Sequence, residues 1–372
     1  MKNIVVVGFG GMGSWHVSHL LKSDVMRLKG IYDIKPERRE AAYKQGLAIY
    51  STLEDVLKDK QIDLITIATP NDSHKEIAIK AMRAGKNVIS EKPVTLSSKD
   101  LAEMVAVSKE TGKLFTVHQN RRWDPDYLAV RKVIESGRLG DIVEIQSRVH
   151  GSHGIPGDWR GKPEHGGGMV LDWGVHLIDQ INQMNLGEKK YASAHLDFIT
   201  NKQVDDGFNA VITYKNGLRA TVEVGTSNYI NMPRWYVKGT KGTLLMQGFD
   251  GEGKYVCWYK PTEKEVVPVQ LGVGASKTMA PRDAETVQTF DIPKVKSDVH
   301  DFYRNVANAI DGKESQLITH EQLRQVMCLM EAILFSGVNH GEVVEISHTN
   351  DEIAKVSRKS NIPNLGNQNT RS

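Results

Sequence analysis

A glycine-rich turn between a strand and a helix, with an acid at a set distance beyond it, constrains this chain more than any other feature. The apolar run Ile4-Val5-Val6-Val7 enters Gly8-Phe9-Gly10-Gly11-Met12-Gly13, and a helical stretch from Ser14 to Leu21 follows. A second apolar run, Met26 to Tyr32, ends at Asp33, 20 residues past Gly13, with Ile34 beside it. In a dinucleotide site the first glycine permits the tight turn and the second lets backbone approach a pyrophosphate. The third lets helix pack on strand, and the helix N-terminus offers unpaired N–H groups to the phosphates. Asp33 is spaced to accept hydrogen bonds from the adenosine ribose and to repel a 2′-phosphate. The sequence therefore predicts NAD over NADP, a preference that Lys35, Arg38 and Arg39 weaken.

The length of 372 residues suggests two domains with a sizeable core. Its 48 basic and 45 acidic residues leave a net charge of +3, too little to draw the chain to nucleic acid or a membrane surface. There is no 18-residue apolar run, and the N-terminal apolar strand lacks a signal-peptide cleavage pattern. Cys257 and Cys328 are the only cysteines, so no disulfide framework is expected and a cytoplasmic protein fits best.

Up to about residue 120, apolar strands alternate with amphipathic helical stretches, the rhythm of a doubly wound parallel sheet. From 191 to 259 six strand-like runs follow one another without helices, which reads as a large, mostly antiparallel open sheet. A nucleotide-binding domain over 1–122, a second domain over 123–356 and a polar tail over 357–372 are expected. The stretch 261–297, rich in Pro, Gly and charge, reads as a long loop over the active site or a poorly ordered excursion.

Ligands of doubly wound sheets sit outside the carboxyl ends of the strands. Three segments end strands there: Ala68-Thr69-Pro70-Asn71, Glu91-Lys92-Pro93, and His118-Gln119-Asn120-Arg121-Arg122-Trp123. On position alone Lys92 is either functional or a solvated lysine, and Pro93 biases its backbone toward extended or cis geometry. Farther on, Gly166-Gly167-Gly168 opens a helical stretch expected to run from Gly168 to about Met184. It sets Asp172, His176 and Asp179 at i, i+4 and i+7 on one face, either as a structural Asp–His pair or as a catalytic stripe. His150, His153 and His165 lie nearby, but their spacing matches no zinc signature and no metal is expected.

These pieces, with His74, resemble the glucose–fructose oxidoreductase / inositol dehydrogenase / MocA family nearly end to end. The resemblance implies a Rossmann domain joined to an α/β domain whose open sheet builds homodimers or homotetramers. It implies Lys92, Asp172 and His176 as the catalytic set, a Lys92–Pro93 peptide that is commonly cis, and Trp159-Arg160 near the nicotinamide. Asn120, Arg121, His153, Arg160 and Asp179 are candidates for holding a polyol. The stretches 150–158 and 261–297 are individual and are expected to shape substrate choice. In the expected reaction His176 is the general base, Asp172 orients substrate or imidazole, and Lys92 donates to the oxygen that becomes a carbonyl. The favoured expectation is an NAD-dependent dehydrogenase of a cyclic polyol, sugar or glycoside. Redox-neutral glycoside cleavage by transient ring oxidation and a dinucleotide-sensing regulator remain the alternatives.

Overall fold

Continuous apolar runs, unlike alternating ones, need cover on both faces, and the first half of the chain supplies it with helices. The computed structural model describes residues 1–260 and 265–346, and the tail expected over 357–372 lies outside them. Strand β1 (Lys2–Val7) leads through α1 (Gly11–Leu20) to β2 (Met26–Tyr32), then α2 (Pro36–Lys44), α3 (Leu53–Lys58) and β3 (Leu64–Ile67). There follow α4 (His74–Arg83), β4 (Asn87–Ser90), α5 (Ser98–Thr111) and β5 (Phe115–Val117). All five strands run parallel in the order β2-β1-β3-β4-β5. Ile4 to Val7 and Leu64 to Ile67 are wholly buried, each Ile, Val or Leu side chain among them contributing roughly 1.5–3 kcal/mol. The strand order reverses between β1 and β3, and the carboxyl-end crevice of such a sheet opens there. Gly8, Ala68, Glu91 and His118 each follow a strand at this edge.

The second half begins with α6 (Pro125–Glu135), whose proline occupies the first turn, where its missing N–H costs nothing. β6 (Ile142–His150), α7 (Val175–Gln183), β7 (Lys189–Asp197), β8 (Gly207–Tyr214), β9 (Arg219–Gly225) and β10 (Trp235–Gly239) follow. β11 (Gly242–Met246), β12 (Gly253–Trp258), a hairpin of β13 (Val269–Leu271) and β14 (Gly274–Ser276), and β15 (Val287–Asp291) come next. α8 (His300–Ile310), α9 (His320–Val338) and β16 (Val344–Glu345) end the described chain. Nine strands form one sheet in the order β15-β12-β11-β10-β6-β9-β8-β7-β16. Only β6 and β9 pair in parallel; the other neighbours are antiparallel.

Residues alternate as a one-sided sheet requires. Phe208, Ala210 and Ile212 are buried beside Ala220 and Val222, while Asn209 and Glu223 face outward. Trp235 is fully buried, and its indole N–H donates to Asp126 Oδ2 at 2.8 Å, so the large apolar body carries no orphaned donor. The halves are tied together where α8 returns to α1. Arg304 pairs with Asp24 at 3.1 Å, and Tyr303 reaches His16 at 2.6 Å.

Two expectations are corrected. The stretch 261–297 is not wholly loop: β15 pairs with β12 and adds an edge strand, Phe290 stacking on Tyr255 at 4.9 Å. That five-residue strand is flanked by proline and charge, which hide its alternation. The helix expected from Gly168 is also not one regular α-helix. Val170–Gly174 forms a π-turn before α7 begins, a departure that recurs at functional sites.

Candidate active site

The turn after β1 is built around close approach and open space. Gly8 adopts φ +96°, and a Cβ there would lie 2.5 Å from the Ala68 carbonyl oxygen. A Cβ at Gly13 would lie 1.9 Å from the Gly8 carbonyl oxygen, so α1 packs on the turn only without a side chain. Gly10 and Gly11 instead face nothing within 4 Å, and no side chain caps the N-terminus of α1. Open space before uncapped first-turn amides fits a pyrophosphate. Asp33 accepts from the Phe9 amide at 2.7 Å and the Lys35 amide at 2.8 Å, which fixes its carboxylate beside the turn. Arg39 donates to the Asp33 and Ile34 carbonyls, so a cation also sits at this corner.

Farther along the same edge the two halves meet through charge. Lys92, in a cis peptide with Pro93, donates from Nζ to the Asp172 carbonyl at 2.8 Å and to its Oδ1 at 2.9 Å. Arg160 donates to the other oxygen, Oδ2, at 3.1 Å. Asp158 places that guanidinium, accepting from the Arg160 amide at 2.9 Å and from Nη1 at 2.8 Å. Burial alone would raise the Asp172 carboxyl, but the Lys92 and Arg160 charges outweigh it and hold it below its ordinary value. His176 follows one turn later, and the charge of Lys92 bears on it directly. Burial, then Lys92, then Arg121 push its pKa well below the ordinary histidine value, so the ring is neutral at pH 7. Its Nδ1 has no partner among the described residues. A neutral imidazole beside this charged pair is equipped to take a proton.

Residues 2–119 match the family described as "Oxidoreductase family, NAD-binding Rossmann fold", and residues 127–245 match the GFO/IDH/MocA C-terminal domain. The chain belongs to the Gfo/Idh/MocA oxidoreductase family. A solved structure of an NAD-binding protein from Listeria innocua is 44% identical, with a TM-score of 0.89 over 92% of this chain and 99% of that one. An uncharacterized oxidoreductase of Schizosaccharomyces pombe is 31% identical, covering 83% of this chain and 88% of the relative. The scyllo-inositol 2-dehydrogenase (NADP(+)) IolW of Bacillus subtilis is 27% identical, covering 89% and 92%.

In this Gfo/Idh/MocA chain several residues singled out from sequence are engaged elsewhere. Asp179 is taken up by a bidentate pair with Arg122, 2.7 Å at both oxygens and buried, and does not join Asp172 and His176. His74 is fully buried between the Thr69 and Pro93 carbonyls at 2.9 and 3.0 Å, where it links two strand-end loops. Asn71 donates to the Gly166 carbonyl at 3.0 Å, tying the coenzyme half to the glycine-rich loop. His150 pairs with Glu223 at 3.0 Å, His165 lies 3.3 Å from Asp72, and His153 is exposed, so these three do not converge. Gln119 is buried beside the crevice, with no partner for its Oε1 among the described residues.

Two residues that sequence reasoning missed, His16 and Tyr303, join Glu91 and His118 in the floor beneath Lys92. Glu91 Oε1 lies 2.7 Å from His16 Nε2 and 2.8 Å from His118 Nδ1, while Oε2 accepts from the Lys92 amide at 3.1 Å. Tyr303 bonds the far side of His16 at 2.6 Å. The Glu91 carboxyl sits well below its ordinary value because the two rings outweigh the cost of burial. Positions 16, 91, 118 and 303 lie on four separate segments, and no spacing rule links them.

Proposed function

We propose that this oxidoreductase moves hydride between NAD and a secondary hydroxyl of a cyclic polyol, sugar or glycoside. One observation carries the reading: Lys92, bonded through Nζ to Asp172, and the buried His176 one helical turn beyond Asp172 are brought together at the carboxyl edge of the parallel sheet. Bound in the glycine turn and against Asp33, the nicotinamide coenzyme supplies the hydride acceptor. His176 takes the hydroxyl proton, and Lys92 donates to the oxygen as carbonyl character develops. Asp172 aims the ammonium through its carbonyl and carboxylate oxygens. It bonds Lys92 and Arg160, so its positioning acts on the lysine, not on the imidazole. Each of these roles typically contributes about 10²–10⁴-fold to rate.

Asp33 supports NAD: its oxygens are fixed where a ribose diol would donate, and a 2′-phosphate there meets a carboxylate. Arg39 moderates the preference, and the relative IolW is named for NADP. The test is a panel of inositols, aldoses, sugar acids and glycosides with each coenzyme, followed at the nicotinamide absorbance. Reduction of NAD by at least one cyclic polyol or sugar, with a higher kcat/KM than NADP gives, is expected. No reduction by any member would end the reading.

The pH dependence follows from the charges around His176. A base must be unprotonated, so oxidation falls only when pH drops through the lowered His176 pKa, and the acid limb of kcat/KM lies below pH 6.5. Arg121→Gln removes one of the cations that disfavour the imidazolium, so the limb moves to higher pH. An unmoved limb in that variant would assign the titration to another group.

A further inference from the structure

Beside His176, on the side of Trp173, lies a cavity of about 350 Å³ lined by Arg121, Asp124, Pro125, Asp126, Trp173 and Phe249. We propose that this cavity holds a second, uncharged sugar ring joined to the ring being oxidised, which makes glycosides and disaccharides, rather than free polyols, the preferred substrates. The inference rests on the sugar or polyol reading of the neighbouring cluster and goes beyond it in naming what lies outside the reacting ring.

The position comes first. Trp173 follows Asp172 in the π-turn, and its ring centroid lies 5.9 Å from that of His176. Arg121, on the cavity wall, is close enough to depress His176. A substituent on a ring held at Lys92 and His176 therefore has this space to enter. The size suits one ring, being at the low end of the range for small-molecule sites.

The lining chemistry then selects the occupant. Trp173 and Phe249 stand 6.3 Å apart and inclined by 51°, with the Arg121 guanidinium 4.1 Å from the Trp173 centroid. Aromatic faces of this kind pack against the C–H faces of a sugar while its hydroxyls turn to polar neighbours. The charges cancel in pairs: Arg121 with Asp124 at 2.9 Å, and the buried Arg234 behind the wall with Asp126 at 3.3 Å. No uncompensated cation is left to favour a phosphate or carboxylate.

The test compares kcat/KM for matched probes with NAD: glucose against maltose and melibiose, and myo-inositol against its galactoside. The wild-type enzyme is expected to prefer the two-ring member of at least one pair. Phe249→Ala, at a half-exposed position where unfolding is a small risk, is expected to lower the two-ring to one-ring ratio about tenfold with its melting temperature retained. If Phe249→Ala lowers both members equally, the cavity serves the first ring and the proposal falls. If the wild type turns over only single rings, the proposal falls while the dehydrogenase reading stands. If no probe of either kind is turned over, the dehydrogenase reading fails and takes this inference with it.

Discussion

Lys92→Met is expected to bind NAD and to lose turnover by on the order of 10²–10³ in kcat, the usual loss when a donor to a developing charge is removed. Methionine matches the length of the lysine stem and fills the same space, so packing around Pro93 is retained. Asp172 keeps Arg160 at 3.1 Å, so the substitution does not leave a buried carboxylate alone, and large destabilisation is not expected. Lys92 is also one of the cations that depress His176. Any residual activity should therefore show an acid limb displaced to higher pH, a signature that simple misfolding would not give. Coenzyme binding by fluorescence, single-turnover hydride transfer and the pH profile check the three parts. A Lys92→Met enzyme working at the wild-type rate would remove the lysine from the chemistry and leave the polar cluster a structural one.

The parallel sheet was readable because its determinants are local. Runs such as Ile4 to Val7, the glycines behind them and the acid after β2 each specify their own neighbourhood, and the observed strands fall on those runs. The open sheet was readable for the same reason, through period-two alternation over β8 and β9. Edge strand β15 was not, because five residues flanked by proline and charge carry too little pattern to separate them from loop. The site divides along the same line. Lys92, Asp172 and His176 lay in recognisable motifs, and the structure pairs Lys92 with Asp172, with His176 one helical turn farther on. Asp179 sat at the correct helical spacing, yet its partner Arg122 lies 57 residues earlier in sequence, and that contact decides its role. The floor formed by His16, Glu91, His118 and Tyr303 spans 287 residues between two hydrogen-bonded rings, and a single sequence offers no periodicity at that range. What a helix or strand dictates can be read locally, whereas what a buried carboxylate chooses as its partner depends on the assembled fold.

The glycine turn permits a sharper test than deletion of the coenzyme site, because two of its glycines are there for different reasons. Gly10 has an extended backbone conformation that alanine also adopts, and nothing lies within 4 Å of an added Cβ. Gly10→Ala is therefore expected to leave the melting temperature of the coenzyme-free protein unchanged or slightly higher, since alanine loses less freedom on folding. The methyl would stand in the space that backbone amides of α1 open to a pyrophosphate, and NAD affinity should fall by on the order of 10²-fold. Gly13→Ala meets the Gly8 carbonyl oxygen at 1.9 Å, a backbone atom with no rotamer to yield, so strand and helix must separate. Overpacking of this kind costs about 1–3 kcal/mol. That variant should lose thermal stability and coenzyme affinity together. Thermal melting without coenzyme and NAD titration on the same two proteins separate the effects. If Gly10→Ala bound NAD as tightly as the wild type, the open space beside that glycine would not be where the phosphates lie, and the assignment of the turn as their cradle would be wrong despite its glycine spacing.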